Sequence, residues 1–291
     1  MKKFALFAIA CAILAVWGYA AVRLADAGLR IPASLRQWAI DPTAEDVSVT
    51  ANDGALMRGA LFFPAGKAKG AVIILHGIGD HGYTMSALAK LLNRAGYIAL
   101  TPDSRAHGGS GGELVTYGLL EKNDVHRWLD LLEAKTSKGL PIYGYGASLG
   151  GGVIIQSLTN EPRFRALVAE CPFDDFDKVT YDRLSERLDS IPKPVLGLVI
   201  EPAIEYARFH YGLNLRDASP IDAIRTSTVS VLLIHGLLDK NVPIVHSRRL
   251  HAANPSHTEL WEVPNAKHVE TWSAAGLEFE RRVVDWYDKH H

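Results

Sequence analysis

The chain has 291 residues, 48% of them hydrophobic and 22% charged, a balance that supports one large core and excludes a disordered or fibrous chain. Its 31 Lys and Arg nearly cancel 32 Asp and Glu, leaving a net charge of −1, without the basic excess of a general nucleic-acid binder. Cys11 and Cys171 are the only cysteines, too few for a disulfide framework or a Cys-rich zinc site.

Lys2 and Lys3 precede an uncharged run over residues 4–22. As a helix at ~1.5 Å per residue it would measure about 28 Å, close to the ~30 Å hydrocarbon core of a bilayer. Residues 1–23 therefore read as an N-terminal transmembrane anchor, with a cleaved signal peptide and a buried core helix as alternatives. The two lysines favour a cytoplasmic N-terminus. That puts the rest of the chain on the extracytoplasmic side of a membrane, or makes it secreted or periplasmic if the segment is cleaved. Residues 24–44 read as a tether.

From residue 45 to 291 short apolar runs alternate with helical patterns, which predicts one α/β domain with a mostly parallel sheet and helices on both faces. Strands are expected at 47–50, 56–63, 71–75, 97–101, 141–144, 166–169, 229–234 and 259–263. Helices are expected at 85–95, 121–133, 151–158 and 277–287. Residues 172–228 break the rhythm. They are helical in pattern, interrupted by Pro192 and Pro194, and read as a cap over the sheet. Leu196, Leu198, Val199 and Ile200 make that cap apolar, and Leu198 and Val199 are expected to face a substrate pocket.

The strongest chemical signal is Gly146-Ala147-Ser148-Leu149-Gly150. It follows an apolar strand and opens a helix, the setting in which a G-x-S-x-G turn lifts a serine hydroxyl above a sheet. Glycines at both ends avoid a Cβ that would strike neighbouring backbone. A serine hydroxyl is a weak nucleophile and needs a base, itself oriented by an acid. Asp239 after a late strand and His268 after the last strand stand in the order Ser, Asp, His,.

Together with His76-Gly77-Ile78-Gly79 and the run from Asp103 to Ser110, these motifs resemble the α/β-hydrolase superfamily, in its serine aminopeptidase-like and monoglyceride lipase-like branch. The likeness runs from about residue 71 to the C-terminus. Ala106 departs from it, standing where the family usually has glycine. The resemblance implies Ser148 as nucleophile, Asp239 as acid and His268 as base. It implies an oxyanion hole from the backbone N–H groups of Ile78 and Leu149, and no metal or organic cofactor.

The expected activity is a serine hydrolase cleaving a carboxylic ester through an acyl-enzyme. The expected partner is a small acyl substrate, an ester of simple or lipid-like character, with membrane contact through residues 4–22 and no nucleic acid. The alternative is a serine peptidase or amidase, in which Glu201 or Glu205 of the cap would receive a charged amino terminus. A membrane-tethered binding module would have lost a triad member, and this chain has not. Asp174 and Asp175 are rival acids. His76 and His107 read as holding loops, and Arg105 as pairing with Asp103 or another loop acid. His76, Asp80 and His81 approach a zinc-hydrolase motif, with Ile78 where its middle histidine would be.

Overall fold

The computed structural model describes residues 2–291, the side chains of residues 2–10 and 13 excepted. Ten helices and eight strands follow in chain order among the described residues. Helix α1 (Lys2–Leu29) precedes strands β1 (Glu45–Thr50), β2 (Leu56–Phe62) and β3 (Gly70–Leu75). Next come α2 (Ser86–Arg94), β4 (Tyr97–Pro102), α3 (Glu121–Lys135), β5 (Ile142–Ala147), α4 (Leu149–Ser157) and β6 (Phe164–Glu170). Three helices, α5 (Phe176–Arg187), α6 (Lys193–Tyr211) and α7 (Pro220–Thr226), then intervene before β7 (Ser230–Gly236). The chain ends with α8 (Val245–Ala253), β8 (Thr258–Val263), α9 (Thr271–Ala275) and α10 (Leu277–Lys289).

The strands form one sheet in the order β1-β2-β4-β3-β5-β6-β7-β8. The first two pairings, β1 with β2 and β2 with β4, are antiparallel, and the rest are parallel. Successive side chains of a strand point to opposite faces, so β3 feeds two cores at once. Ala71, Ile73 and Leu75 pack with α3 and α4 residues such as Leu129 and Ile154. Val72 and Ile74 pack with Leu88 of α2 and Val283 of α10. That double burial explains why the central strands are near-continuous apolar runs.

The expected strands and helices all occur, with ends shifted by a few residues. Helix α8 was not expected. Its sequence VHSRRLHAA is mostly polar, and it is held through the buried His246, Ser247 and Leu250 rather than through a broad apolar face.

The cap is an insertion between β6 and β7. Pro192 is the N-cap of α6 and Pro194 lies in its first turn, where the missing N–H costs nothing. Prolines here start a helix after the break at residues 188–192.

Residues 24–44, expected as a tether, are docked on the α/β body. Helix α1 continues through Leu29, and Ala21 and Ala25 pack against Ala203 of α6. Leu29 is 1% exposed in the cap core. Its carbonyl accepts from Val115 N–H at 2.8 Å, and the Gly28 carbonyl accepts from Tyr117 Oη–H at 2.9 Å. Arg36 then donates to the Gly112 carbonyl at 2.9 Å. The reason is apolar periodicity: Ala21, Leu24, Ala25 and Leu29 recur on one helical stripe,. Much of the expected bilayer crossing over residues 4–22 lies outside the described side chains. Among the described residues no helix is long and apolar enough to cross a membrane.

Candidate active site

The serine turn sits where β5 ends and α4 begins. Ser148 has φ 53° and ψ −113°, a conformation costly for any residue with a Cβ and stored only where surroundings over-determine it. The surroundings are visible. A Cβ on Gly146 would come within 2.2 Å of the Gly150 carbonyl oxygen, and one on Gly150 within 2.5 Å of the Leu75 carbonyl oxygen. The Ser148 N–H donates to the Glu170 carbonyl at 2.8 Å, tying the turn to β6.

The structure brings the three implied triad residues together. His268 Nε2 lies 2.7 Å from Ser148 Oγ, and His268 Nδ1 lies 2.6 Å from Asp239 Oδ2. Asp239 is buried, and its Oδ1 accepts from the N–H groups of Asn241 and Val242, both at 2.9 Å. Burial alone would push this carboxyl up. Hydrogen bonds from His235 and His268, with the Val242 N–H, more than reverse that and hold it well below the usual carboxylate range,. Asp239 is therefore a carboxylate at neutral pH.

Leu149 is the first residue of α4, where an N–H has no intrahelical acceptor,. Ile78 lies in the loop after β3, and its N–H has no acceptor among the described residues. That loop borders the serine, since a Cβ on Gly77 would stand 3.4 Å from Ser148 Cβ.

Two histidines hold the loop. His76 Nε2 accepts from Ser104 N–H at 2.9 Å while Nδ1 meets the Gly77 carbonyl at 2.7 Å. Burial pushes its pKa down to about 3. His107 Nε2 accepts from Gly79 N–H at 3.1 Å. With both its nitrogens engaged, His76 does not join Asp80 and His81 as a ligand set. Among the described residues the one group close enough to share an ion is Cys171, Asp239 and His268; burial raises the Cys171 thiol well above its ordinary value, and Asp239 and His268 already bond each other.

The rival acids serve elsewhere. Asp174 pairs with His246 at 2.5 Å, and Asp175 caps α5 by accepting from Lys178 N–H at 3.1 Å. Arg105 pairs not with Asp103 but with Asp124, through two bonds of 2.8 Å, and with Asp53 at 2.9 Å. Asp103 instead accepts from the N–H groups of Gly82 and Gly109. Ala106 takes φ 60°, the left-handed region that glycine occupies without strain.

Sequence reasoning missed Glu170. Its buried carboxylate accepts from the hydroxyls of Tyr145 and Thr271 and from Thr271 N–H. It thereby ties the serine strand to the helix that follows His268. The available signal was a lone acid ending the apolar strand FRALVAE.

A cavity of about 220 Å³ opens beside the site, lined by Ile78, Tyr117 and Phe176 and by residues of α1, α5 and α6. Ser148 and His268 do not line it, so Ile78 is its link to the serine. Leu198 and Val199, expected to face a pocket, do not line this cavity either. Leu198 is 58% exposed, and its carbonyl accepts from the Trp17 indole. The wall comes instead from Leu24, Ala25, Gly28 and Leu29 of α1 with Ile200 and Ile204 of α6. Glu201 and Glu205 are both engaged by Arg216.

Residues 66–196 match the family described as serine aminopeptidase, S33. The chain has the α/β-hydrolase fold. It is 26% identical over 219 residues to an uncharacterized Bacillus subtilis protein, YqkD, covering 75% of this chain and 70% of that one. It is 28% identical over 152 residues to human monoglyceride lipase, covering 50% of each. Among solved structures, an esterase of Pyrococcus furiosus, Pf2001, superposes with a TM-score of 0.68 at 22% identity, covering 84% of this chain and 92% of that one; at this identity the likeness speaks for the fold. At the family level the chain resembles esterase- and lipase-like hydrolases.

Proposed function

We propose that the protein is a serine hydrolase that cleaves a carboxylic ester through an acyl-enzyme on Ser148. The observation that carries this reading is the hydrogen-bonded chain from Ser148 Oγ through His268 to Asp239. Ser148 Oγ attacks the acyl carbonyl as His268 Nε2 takes its proton. Asp239 fixes the imidazole tautomer and stabilises the imidazolium. The N–H groups of Ile78 and Leu149 receive the oxyanion, each such donor being worth about 2.7–4 kcal/mol of barrier. His268 then protonates the leaving alcohol, and a water activated by the same imidazole releases the acyl group. An ester is favoured over a peptide because the cavity wall is mostly apolar, its charged members are arginines, and neither candidate amine-binding glutamate lines it.

Replacing Ser148 or His268 by Ala lowers hydrolysis of a short nitrophenyl ester by at least about 10⁴-fold with the fold intact, and the double variant is little worse than either. Near-normal turnover in Ser148→Ala would overturn the reading.

Residues 4–22 anchor this enzyme in a bilayer, with the hydrolase domain on the extracytoplasmic side. A chain lacking residues 1–17 leaves the membrane fraction and stays active, whereas the full chain resists carbonate washing. Release of the full chain by high salt would overturn the anchor.

A further inference from the structure

We propose that the substrate carries an anionic group beyond its scissile ester, held by Arg183 and Arg187 at the outer end of the cavity. The inference rests on the serine-hydrolase reading above and specifies the ester.

Helix α5 turns a single stripe into the cavity: Phe176, Val179, Thr180, Arg183, Leu184 and Arg187. Their spacing of three and four residues is that of one helical face. The stripe changes character along its length. Phe176 is buried, against Tyr117 with ring centroids 4.8 Å apart. Arg183 and Arg187 follow roughly 10 and 16 Å further along the helix axis, at ~1.5 Å per residue. Arg183 is half-buried and Arg187 exposed, so the cavity is apolar within and cationic at its mouth.

Neither guanidinium makes a hydrogen bond or ion pair among the described residues. The acids beside them on α5 are already engaged, Asp182 by Lys193 at 2.7 Å and Glu186 by Lys240 at 3.2 Å. On α1, Asp26 accepts from Tyr211 Oη–H at 2.5 Å. The other arginines of the cap, Arg208, Arg216 and Arg225, all pair with acids. The two that face the cavity are the two without partners.

A guanidinium presents a planar fork of N–H donors that matches a carboxylate or a phosphate, and two of them one turn apart can share one anion. A neutral ester would leave both unused. At roughly 30 Å³ per water-sized group, the cavity of about 220 Å³ takes a chain of about seven such groups. The ligand is thus a medium-length amphiphile with a terminal anion.

The test compares kcat/KM of the full chain for octanoylglycerol, octanoylglycerol phosphate and the glycerol monoester of octanedioic acid. The second carries its anion on the alcohol side and the third on the acyl side. One anionic ester should exceed the neutral one by about tenfold or more, the size expected of a charged hydrogen bond, and which one does so locates the anion. That ratio should fall by about tenfold in Arg183→Gln/Arg187→Gln and shrink at about 0.5 M salt. A neutral ester that matches both anionic ones, or a ratio the double variant keeps, overturns the proposal. Calorimetry on the Ser148→Ala chain with octyl phosphate, octanoate and octanol reads the site without chemistry. Anion-dependent binding lost in the double arginine variant supports it even if no ester is cleaved, a result that would sink only the hydrolase reading. Equal binding of octanol and both anions overturns the anion site itself.

Discussion

The serine turn and the cap, whose helices wall the cavity beside it, are built by different rules. The turn is fixed by close backbone contacts: Ser148 is held at φ 53° where the Gly150 and Leu75 carbonyls leave no room for a Cβ on Gly146 or Gly150. The cap and its pocket are fixed by helices far apart in sequence, since α1 supplies Leu24, Ala25 and Gly28 to a cavity otherwise walled by α5 and α6. The turn determines what chemistry is available, and the cap with α1 determines what reaches it. Substitutions should therefore split into those that stop turnover for every ester and those that change which ester is turned over.

The largest expected effect falls on the turn side. Asp239→Asn stabilises the wrong imidazole tautomer and should cost about 10⁴-fold in kcat. Asp175→Ala, which removes only the cap of α5, should cost about 1 kcal/mol of stability and spare the chemical step. The reverse ranking, by ester kinetics beside urea denaturation, would move the acid away from Asp239.

A middle-sized effect separates α1 from the rest of the N-terminal segment. Removing residues 1–25 takes Ala21, Leu24 and Ala25 from the cap and cavity. Hydrolysis of octanoyl esters should then fall further than that of acetyl esters, because each buried methylene contributes ~0.8 kcal/mol, about fourfold. Gly28→Leu should do the same from within, since a Cβ there meets only Tyr117 Oη, at an unstrained 3.9 Å. Leu198→Ser, outside the cavity, should leave the chain-length profile alone. A profile moved by Leu198→Ser but not by Gly28→Leu would place the acyl chain elsewhere.

How much of this was legible in the sequence follows the same division. Gly146, Ser148 and Gly150, with Asp239 and His268 in the expected order, could be read because local backbone rules and strand ends position them. The pocket wall could not. Leu198 and Ile200 are equally apolar in sequence, and only the packing of α1 decides that Ile200 faces inward while Leu198 meets Trp17. Helix α8 was hidden because three buried residues, not a periodic apolar stripe, hold it. Glu170 was hidden because its partners, Tyr145 and Thr271, are 25 and 101 residues away.

A last expected effect bears on stability alone and leaves turnover at neutral pH untouched. The folded pKa of His76 is about 3 against an ordinary 6.5, because burial disfavours the imidazolium. Between those values the unfolded chain binds a proton that the folded chain does not. Stability is therefore full above about pH 6.5 and lost as pH falls toward 3, with a contribution of at most ~1.4 kcal/mol per pH unit. Urea midpoints across this range should show a shallower acid slope in His76→Asn than in the wild type. Equal slopes would mean that His76 takes up its proton while folded.

The central claim is that Ser148 becomes acylated. Incubating the full chain with a fluorophosphonate and mapping the adduct by peptide mass spectrometry tests it most directly. A single adduct on Ser148, formed far more slowly in His268→Ala, is the predicted result. An adduct on another residue, or ester turnover that continues undiminished while Ser148 is fully modified, would contradict it.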